Sequence, residues 1–301
     1  MFYCGEAKGM SSHPIPIQHA ATQESVKPEK GLLGINSISS PTVASTEHRI
    51  TTPTAQASWS DHPLGRAAGI LFGIGTQLLF AWTVIFLFLF LRYGGWFATE
   101  NWWLTDVALA VLFVVPHSIL LAPPTSKWLR KWIPAGLHGC LHCLVSCLSL
   151  LLMFHYWGRS SVELWHARGW TEQAILIGFY GSWVALLYSL YWTGFGYQTG
   201  LTQWWYWMRR TPPPRRAFVT TGAFRYMRHP VYMSFLGLIW FTPVMTLDHA
   251  VLTGVWTLYI YAGSYFKDRR LLRFIGQPYY EYGKRIAGLP VIGFGSLRRF
   301  S

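Results

Sequence analysis

Three ionisable residues in the last third of the sequence stand at matched distances from a fourth. Arg228 precedes Asp248 by twenty residues, Asp268 follows it by twenty, and His229 stands next to Arg228. Two apolar helices of equal length that meet at a turn bring their outer ends together, since about 20 helical residues span roughly 30 Å. The spacing therefore predicts that Arg228, His229 and Asp268 converge into one site.

The predicted site suits a ligand that carries a positive charge and an aromatic base. Asp268 offers a carboxylate to a sulfonium or a similar cation, and Arg228 or His229 can meet a carboxylate of the ligand. Tyrosines around these residues are available for stacking, namely Tyr226, Tyr232, Tyr279 and Tyr282. Arg228 and its basic neighbours are also compatible with interfacial anchors whose side chains reach lipid headgroups.

The elements that must position these residues are long uncharged segments. The chain is 51% hydrophobic and only 12% charged, which is typical of a membrane protein rather than a soluble domain. Each uncharged segment is long enough to cross the roughly 30 Å core of a bilayer, and the segments are 67–91, 107–126, 132–158, 173–208, 229–247 and 249–266. We expect an all-α integral membrane protein of about six helices that ends in a helical hairpin and a cytoplasmic tail.

The basic residues predict the orientation of this helical array. The net charge is +13, and 17 of the 25 Lys and Arg residues fall in the second loop, the fourth loop and the C-terminal tail. The opposite side has only Arg92, Arg159 and Arg168, so the positive-inside rule places both termini in the cytoplasm. A basic excess distributed in this way indicates membrane topology, and nucleic acid is not an expected partner.

Two regions of different composition divide the chain. Residues 1–65 are rich in Ser, Thr, Pro, Gln and His and have no periodic apolar pattern, which predicts a disordered tail that cannot bury enough surface to fold. Residues 66–301 form the predicted membrane domain.

A sequence motif before the last hairpin resembles a known family. Segment 219–232, VTTGAFRYMRHPVY, looks like the signature of the isoprenylcysteine carboxyl methyltransferase-like membrane methyltransferases. The resemblance continues through Pro116, His117 and Ser118, through 196–201, and through Arg269, Leu271, Arg273 and Gly276, and together these residues resemble the NnrU and methanethiol S-methyltransferase branch.

This resemblance implies an S-adenosylmethionine-dependent enzyme whose cofactor pocket lies between the last two helices and the tail. Its acceptor is expected to be a small or lipophilic thiol, with methanethiol giving dimethyl sulfide as the leading expectation, and membrane lipid as its surroundings. The implied catalytic residues are Arg228 and Asp268, and the implied cofactor-binding residues are Arg225, Tyr226, His229, Pro230, Tyr232, Tyr279 and Tyr282. Where the family usually shows two adjacent glutamates, this chain has Lys267 and Asp268.

Two other functions remain open from the sequence. A membrane reductase of the sterol and steroid type also ends in a helical hairpin with an Arg- and Tyr-bearing tail, and it uses a nicotinamide cofactor. An NnrU-like transport or assembly protein of nitrogen-oxide metabolism is the non-enzymatic alternative. His138, His142, Cys140, Cys143 and Cys147 share one apolar segment, and we interpret them as packing residues rather than as a metal site.

Overall fold

Ten α-helices, two 3-10 turns (Ala135–Leu137 and Gly222–Arg225) and two short strands build the part of the chain that the computed structural model describes, which is residues 62–95, 102–214, 218–289 and 298–300. The helices are α1 (Pro63–Tyr93), α2 (Trp102–Leu121), α3 (Pro123–Leu129), α4 (His138–Tyr156), α5 (Trp170–Thr193), α6 (Phe195–Thr199), α7 (Leu201–Met208), α8 (Pro230–Trp240), α9 (Leu247–Ile275) and α10 (Gln277–Arg285). The strands are β1 (Glu163–His166) and β2 (Val244–Thr246). The prediction of a mostly helical fold is confirmed, with a small strand pair that the sequence analysis did not include.

Four helical stretches of the described residues are long and apolar enough to cross a membrane, and they identify an integral membrane protein. They are Pro63–Tyr93, Trp102–Leu121, Ala135–Tyr156 and Trp170–Thr193. They overlap the first four uncharged segments. Lipid offers no hydrogen bonds to the backbone, so a single segment that crosses the membrane must form a helix, which satisfies its own N–H and C=O groups. The orientation of these helices and the total of six crossings stay predictions.

The ends of α1 illustrate why the sequence folds in this way locally. Pro63 occupies the first turn of α1, where its missing N–H costs nothing. Gly94 ends the helix at a φ of 83°, a left-handed conformation that glycine adopts without strain. Residues 1–61 of the predicted tail (1–65) lie outside the described residues, and α1 begins at Pro63, three residues before the predicted start of the membrane domain at 66.

The last two helices differ from a hairpin of two equal spans. Helix α8 is only 11 residues long, about 16 Å, because Pro243 cannot donate to a helix and pushes the preceding Thr242 away from helical geometry. The chain then continues as β2, which pairs with β1 in the antiparallel register Trp165↔Met245. Helix α9 follows immediately with 29 residues.

Helices α8 and α9 nevertheless contact each other at both ends. The hydroxyl of Thr253 in α9 donates to the carbonyl of Ile239 in α8 at 3.0 Å. At the opposite ends, the ammonium of Lys267 lies 4.9 Å from the ring centroid of Tyr232. The two helices therefore run antiparallel and carry the residues that follow Asp248 back towards those that precede it.

A core of large apolar side chains joins the long helices. It includes Phe90 of α1, Phe154 of α4, Phe179 of α5, Leu238 of α8 and Leu252 of α9, each of which is almost completely buried. The rings of Phe90 and Phe154 stack with centroids 4.8 Å apart. Between helices surrounded by lipid, the close van der Waals packing of such side chains is the main stabilising contribution, because lipid tails are as apolar as the side chains themselves.

Helix α7 is anchored in a notch on α1. The indole of Trp204 donates to the carbonyl of Gly69 at 3.1 Å. A Cβ atom at Gly73 would lie 2.0 Å from Trp204, so only glycine permits this approach. Trp204 is therefore buried against α1, whereas the neighbouring Trp205 is exposed.

Candidate functional site

The carboxylate of Asp268 is the centre of a buried polar cluster between α8, α9 and α10. Asp268 is 4% exposed. Its Oδ2 accepts a hydrogen bond from Arg228 Nη2 at 2.8 Å, and its Oδ1 accepts one from the hydroxyl of Tyr279 at 2.5 Å. His229 Nε2 lies 3.0 Å from the same Oδ1. We call Arg228, His229, Tyr232, Asp268 and Tyr279 the Asp268 cluster.

Arg228 connects this cluster to three segments of the chain. Its buried guanidinium donates to the carbonyls of Gly283 at 3.3 Å, Ile286 at 2.7 Å and Arg298 at 3.1 and 3.2 Å. The ring of Phe300 lies over it, 4.2 Å from the guanidinium carbon. Arg228 thus holds α9, the end of α10 and residues 298–300 together.

The backbone beside Arg228 reinforces the same connection. The N–H of Arg228 donates to the carbonyl of Ala287 at 2.9 Å, and the N–H of His229 donates to the carbonyl of Gly288 at 3.1 Å. These two bonds pair the residues before α8 with those after α10. The position of His229 is therefore determined by main-chain bonds as well as by its neighbours.

His229 has hydrogen-bonding capacity that the described residues do not use. The residue is 0% exposed, and neither ring nitrogen has a well-aligned hydrogen-bond partner among the described residues. The 3.0 Å approach to Asp268 is short in distance but poorly aligned. One face of the imidazole stacks on Tyr232, with centroids 5.4 Å apart and planes inclined by 23°.

The charges of the cluster follow from burial and from its neighbours. Burial lowers the pKa of His229, although Asp268 acts in the opposite direction. Burial raises the pKa of Asp268, but His229, Arg228 and Tyr279 outweigh it and hold that pKa below its ordinary value. Burial and the Asp268 carboxylate both raise the pKa of Tyr279. The cluster therefore contains one ion pair, a neutral imidazole and a protonated phenol.

The two predicted tyrosines of α10 are fixed in place by hydrogen bonds. Tyr279 donates to Asp268, and Tyr282 donates to the carbonyl of Phe224 at 2.6 Å. Their spacing of three residues places them on one face of α10, and Phe218 packs its ring against both. Burial raises the pKa of Tyr282, so its hydroxyl stays protonated and donates.

The remaining predicted site residues lie outside the cluster. Arg225 is exposed at the end of a short 3-10 turn, Gly222–Arg225, and Tyr226 is 71% exposed. Pro230 is buried at the first turn of α8. Tyr226 and Pro230 line a largely apolar cavity of about 450 Å³ between α5 and α8. The structure therefore places Tyr282 against Tyr279 of the Asp268 cluster, whereas Arg225 is exposed and the side chains of Tyr226 and Pro230 line the cavity instead.

Sequence reasoning missed Arg270 and Phe300. The Nε atom of Arg270 is buried without a hydrogen-bond partner among the described residues, and its charge acts on Tyr232. The three-residue spacing from Lys267 to Arg270 on α9 was a usable signal for a shared face. Phe300 is distant from the motif in sequence, and no sequence pattern predicts its contact with Arg228.

The His- and Cys-bearing face of α4 is accounted for by packing and hydrogen bonds. His117 Nδ1 lies 3.0 Å from the hydroxyl oxygen of Ser146, and His142 Nε2 lies 3.3 Å from the carbonyl of His117. The thiols of Cys143 and Cys147 are 4.0 Å apart. In the part of the chain that the structure describes, no three His, Cys, Asp or Glu side chains are arranged to hold a metal ion.

Comparison with known proteins identifies relatives over most of the chain. Methanethiol S-methyltransferase from Pseudomonas sp. (strain GM41(2012)) is 28% identical over 239 residues, which is 75% of this chain and 90% of that protein. Methanethiol S-methyltransferase from Pseudomonas deceptionensis is 30% identical over 197 residues, or 65% of this chain and 74% of that protein. Nurim from Rattus norvegicus is 26% identical over 164 residues, which cover 52% of this chain and 62% of Nurim.

Two further comparisons gave no match. No family model matches the chain, and no solved structure matches it.

Proposed function

Because the chain belongs to the methanethiol S-methyltransferase family, within the isoprenylcysteine carboxyl methyltransferase-like membrane methyltransferases, we propose that it transfers a methyl group from S-adenosylmethionine to methanethiol and forms dimethyl sulfide. The observation that carries this proposal is the Asp268 cluster, in which the Arg-His-Pro-x-Tyr motif meets the end of α9. The names of the relatives supply the acceptor and the reaction type.

The residues of the cluster fit a nucleotide-bearing methyl donor. His229 is buried, and among the described residues neither ring nitrogen has a well-aligned hydrogen-bond partner, which is costly unless a ligand supplies the missing hydrogen bonds. Tyr232 and His229 form a stacked aromatic pair beside it. His229 and Tyr232 are therefore the residues that would hold the donor.

S-adenosylmethionine supplies an electrophilic methyl group on a sulfonium, and the protein mainly has to position the acceptor and exclude water. A neutral His229 can accept the proton of a thiol, which leaves the sulfur as a thiolate, the nucleophilic form. A donor held at His229 and Tyr232 would supply its methyl group to this sulfur and would leave as a neutral thioether. No covalent bond to the protein is required.

Asp268 acts in this proposal as a positioning residue. Its carboxylate already accepts hydrogen bonds from Arg228 and Tyr279, so its charge is largely neutralised inside the protein. The role that these contacts support is to hold His229 in place and to keep Arg228 compensated. A direct contact of Asp268 with the sulfonium, which the sequence alone favours, is not needed.

The test is methyl transfer and donor binding by the purified full-length protein in detergent. We expect S-adenosylmethionine and methanethiol to give dimethyl sulfide, detected by gas chromatography, and we expect His229→Gln to abolish both product formation and donor binding. His249→Gln is the matched control, because His249 is also buried but lies near the opposite end of α9. Its Nε2 lies 3.2 Å from the carbonyl oxygen of Ile239 in α8.

Two outcomes would contradict the proposal. Native protein that binds no S-adenosylmethionine by calorimetry is not a methyltransferase of this kind, and binding of a nicotinamide nucleotide instead would favour the reductase alternative. Undiminished donor binding in His229→Gln would remove His229 from the site while leaving the reaction class intact.

A further inference from the structure

Arg270 is a half-buried cation, and no anion pairs with it among the described residues. It follows Asp268 by two residues on α9, its Nε atom is buried without a hydrogen-bond partner, and no ion pair to it is formed within the described residues. A guanidinium cannot escape this cost by losing its proton, because its pKa is too high. Buried polar atoms are normally hydrogen-bonded, so the buried Nε of Arg270 favours an acceptor that the described residues do not supply.

The carboxylate of Asp268 is not that anion. Its Oδ2 accepts from Arg228 and its Oδ1 accepts from Tyr279, and Arg228 also binds carbonyls at the end of α10. Arg270 instead lies three residues after Lys267, on the face of α9 that packs against Tyr232 of α8. Asp268 therefore contacts Arg228 and Tyr279, whereas Arg270 lies on the face of α9 that packs against Tyr232.

Tyr232 connects Arg270 to the donor site. Its hydroxyl oxygen lies 3.7 Å from where a Cβ of Gly263 would be, and the ammonium of Lys267 lies 4.9 Å from its ring centroid. Gly263, Lys267 and Arg270 are spaced by four and three residues, so they share one face of α9. The other partner of the Tyr232 ring is His229. One wall beside His229 is therefore positively charged.

We propose that Arg270 binds the carboxylate of the methionine part of the methyl donor, with Lys267 adding positive charge to the same wall. The inference rests on the proposed function and names a binding residue outside the sequence motif. A carboxylate accepts two parallel hydrogen bonds from a guanidinium. A phosphate headgroup of a membrane lipid has similar acceptor oxygens, and the experiment separates the two sources.

The experiment compares two donors that differ only in that carboxylate. S-adenosylmethionine and its decarboxylated analogue are titrated into native protein and into Arg270→Gln, in detergent without phospholipid, by isothermal calorimetry. We expect Arg270→Gln to weaken S-adenosylmethionine about tenfold or more, the effect of a lost charge-assisted hydrogen bond. Affinity for the decarboxylated analogue should stay the same within about twofold.

Arg269→Gln is the matched control. Arg269 is exposed and its guanidinium lies 5.0 Å from the ring centroid of Tyr265, so its removal lowers the net charge equally without touching Tyr232. We expect it to change neither affinity. Arg270→Lys keeps the charge but cannot form the two parallel hydrogen bonds of a guanidinium, so it should retain only part of the preference for S-adenosylmethionine over the decarboxylated analogue. If Arg270→Gln does not fold, Arg270→Lys still tests whether Arg270 binds the carboxylate.

Three outcomes overturn the inference. Equal losses for both donors show that Arg270 supports the fold rather than the carboxylate, and unchanged affinity for both shows that it is outside the site. Discrimination that survives in Arg270→Gln, together with a loss of stabilisation by phosphatidylglycerol nanodiscs, assigns Arg270 to a lipid phosphate. Failure of the native protein to bind S-adenosylmethionine is a different result, since it removes the proposed function itself.

Discussion

Helix α9 carries a buried carboxylate near each end, and the two are neutralised in different ways. At one end, Asp268 is paired with side-chain donors, Arg228 and Tyr279, and lies beside His229. At the other end, Asp248 accepts from the backbone N–H of Ser160 at 2.9 Å and from the indole of Trp157 at 3.3 Å. Both aspartates are almost completely buried.

A second carboxylate assists Asp248. Asp106 of α2 accepts from the backbone N–H of Gly158 at 2.8 Å. Asp106 and Asp248 therefore hold the turn after α4 from both sides, and among the described residues neither forms an ion pair with a basic side chain. The arrangement fastens a loop to two helices, which is a structural task.

The contrast indicates which of the two sites has chemistry to offer. Asp248 is satisfied by a backbone N–H and an indole that cannot move without unfolding the loop, although Oδ2 of the neighbouring Asp106 has no hydrogen-bond partner among the described residues. Asp268 is held by side chains from two segments, and the imidazole of His229 beside it has no well-aligned hydrogen-bond partner among the described residues. An imidazole that is buried beside an ion pair with unused hydrogen-bonding capacity is characteristic of a site that a ligand completes.

The largest loss of stability and of donor binding is expected from Asp268→Ala. Its loss leaves the buried Arg228 uncompensated, and breaking a buried ion pair in this way costs about 3–5 kcal/mol. Donor binding should be lost as well, because Arg228 and His229 no longer have fixed positions. Thermal unfolding in detergent and calorimetric titration with S-adenosylmethionine measure the two effects.

Arg228→Leu combined with Asp268→Ala sharpens this prediction. Replacing both charges removes the uncompensated cation, so the double variant should recover part of the lost stability without recovering donor binding. A double variant that is as unstable as the sum of the two single variants would show that the ion pair is not the source of the effect.

A smaller effect is expected from Tyr279→Phe. The substitution removes one hydrogen bond to a charged acceptor, which is worth about 1.5–3 kcal/mol, and leaves the ring packing intact. The pKa of Asp268 should rise because one of the groups that lower it is gone. Donor affinity measured by calorimetry should fall, and Tyr282→Phe, whose hydroxyl binds a carbonyl instead, is the comparison that should affect it less.

As the pH falls, the effect of His229 should destabilise the folded protein before Asp268 is protonated. The pKa of His229 is lowered in the folded protein, so the unfolded chain binds a proton first as the pH falls through the ordinary value of 6.5. The contribution of the neutral His229 to the free energy of unfolding is therefore fully present above pH 6.5 and decreases below it. The decrease is about 1 kcal/mol at one pH unit lower. The contribution of Asp268, whose pKa is also lowered, persists until the pH falls below its ordinary value of 3.8.

The measurement is the unfolding midpoint of native protein and of His229→Gln between pH 7.5 and 5.5. The other buried histidines contribute alike to both proteins, so the difference between the two curves isolates His229. Parallel curves would mean that His229 carries no proton-linked stability.

The convergence of Arg228, His229 and Asp268 was predictable from the sequence, but for a partly wrong reason. Equal helical spans were expected, whereas α8 has only 11 residues and the chain continues as an extended segment. An extended residue covers about 3.3 Å and a helical one about 1.5 Å, so the shorter helix still reaches the same height. The break depends on Pro243 and on pairing with β1, a partner nearly eighty residues away.

The partners of Asp268 were not predictable in the same way. The spacing of twenty residues on each side of Asp248 identified Asp268 as a candidate site residue. Whether it meets a ligand or Arg228 depends on how α10 and residues 298–300 fold over the motif, as the contacts of Arg228 with Ile286 and Arg298 demonstrate. Such contacts have no periodic signature, whereas the uncharged spans of α1, α2, α4 and α5 do.

The smallest effect on donor binding is expected from Asp248→Asn. The amide keeps one oxygen that can accept from the N–H of Ser160, and the change leaves no buried cation behind. We expect a loss of about 1–2 kcal/mol in stability and a donor affinity that stays within about twofold of native. Calorimetry on this variant beside Asp268→Ala is the direct comparison of the two ends. If Asp248→Asn weakened donor binding as strongly as Asp268→Ala does, α9 would couple both ends to one site, and the division into a structural end and a chemical end would be wrong.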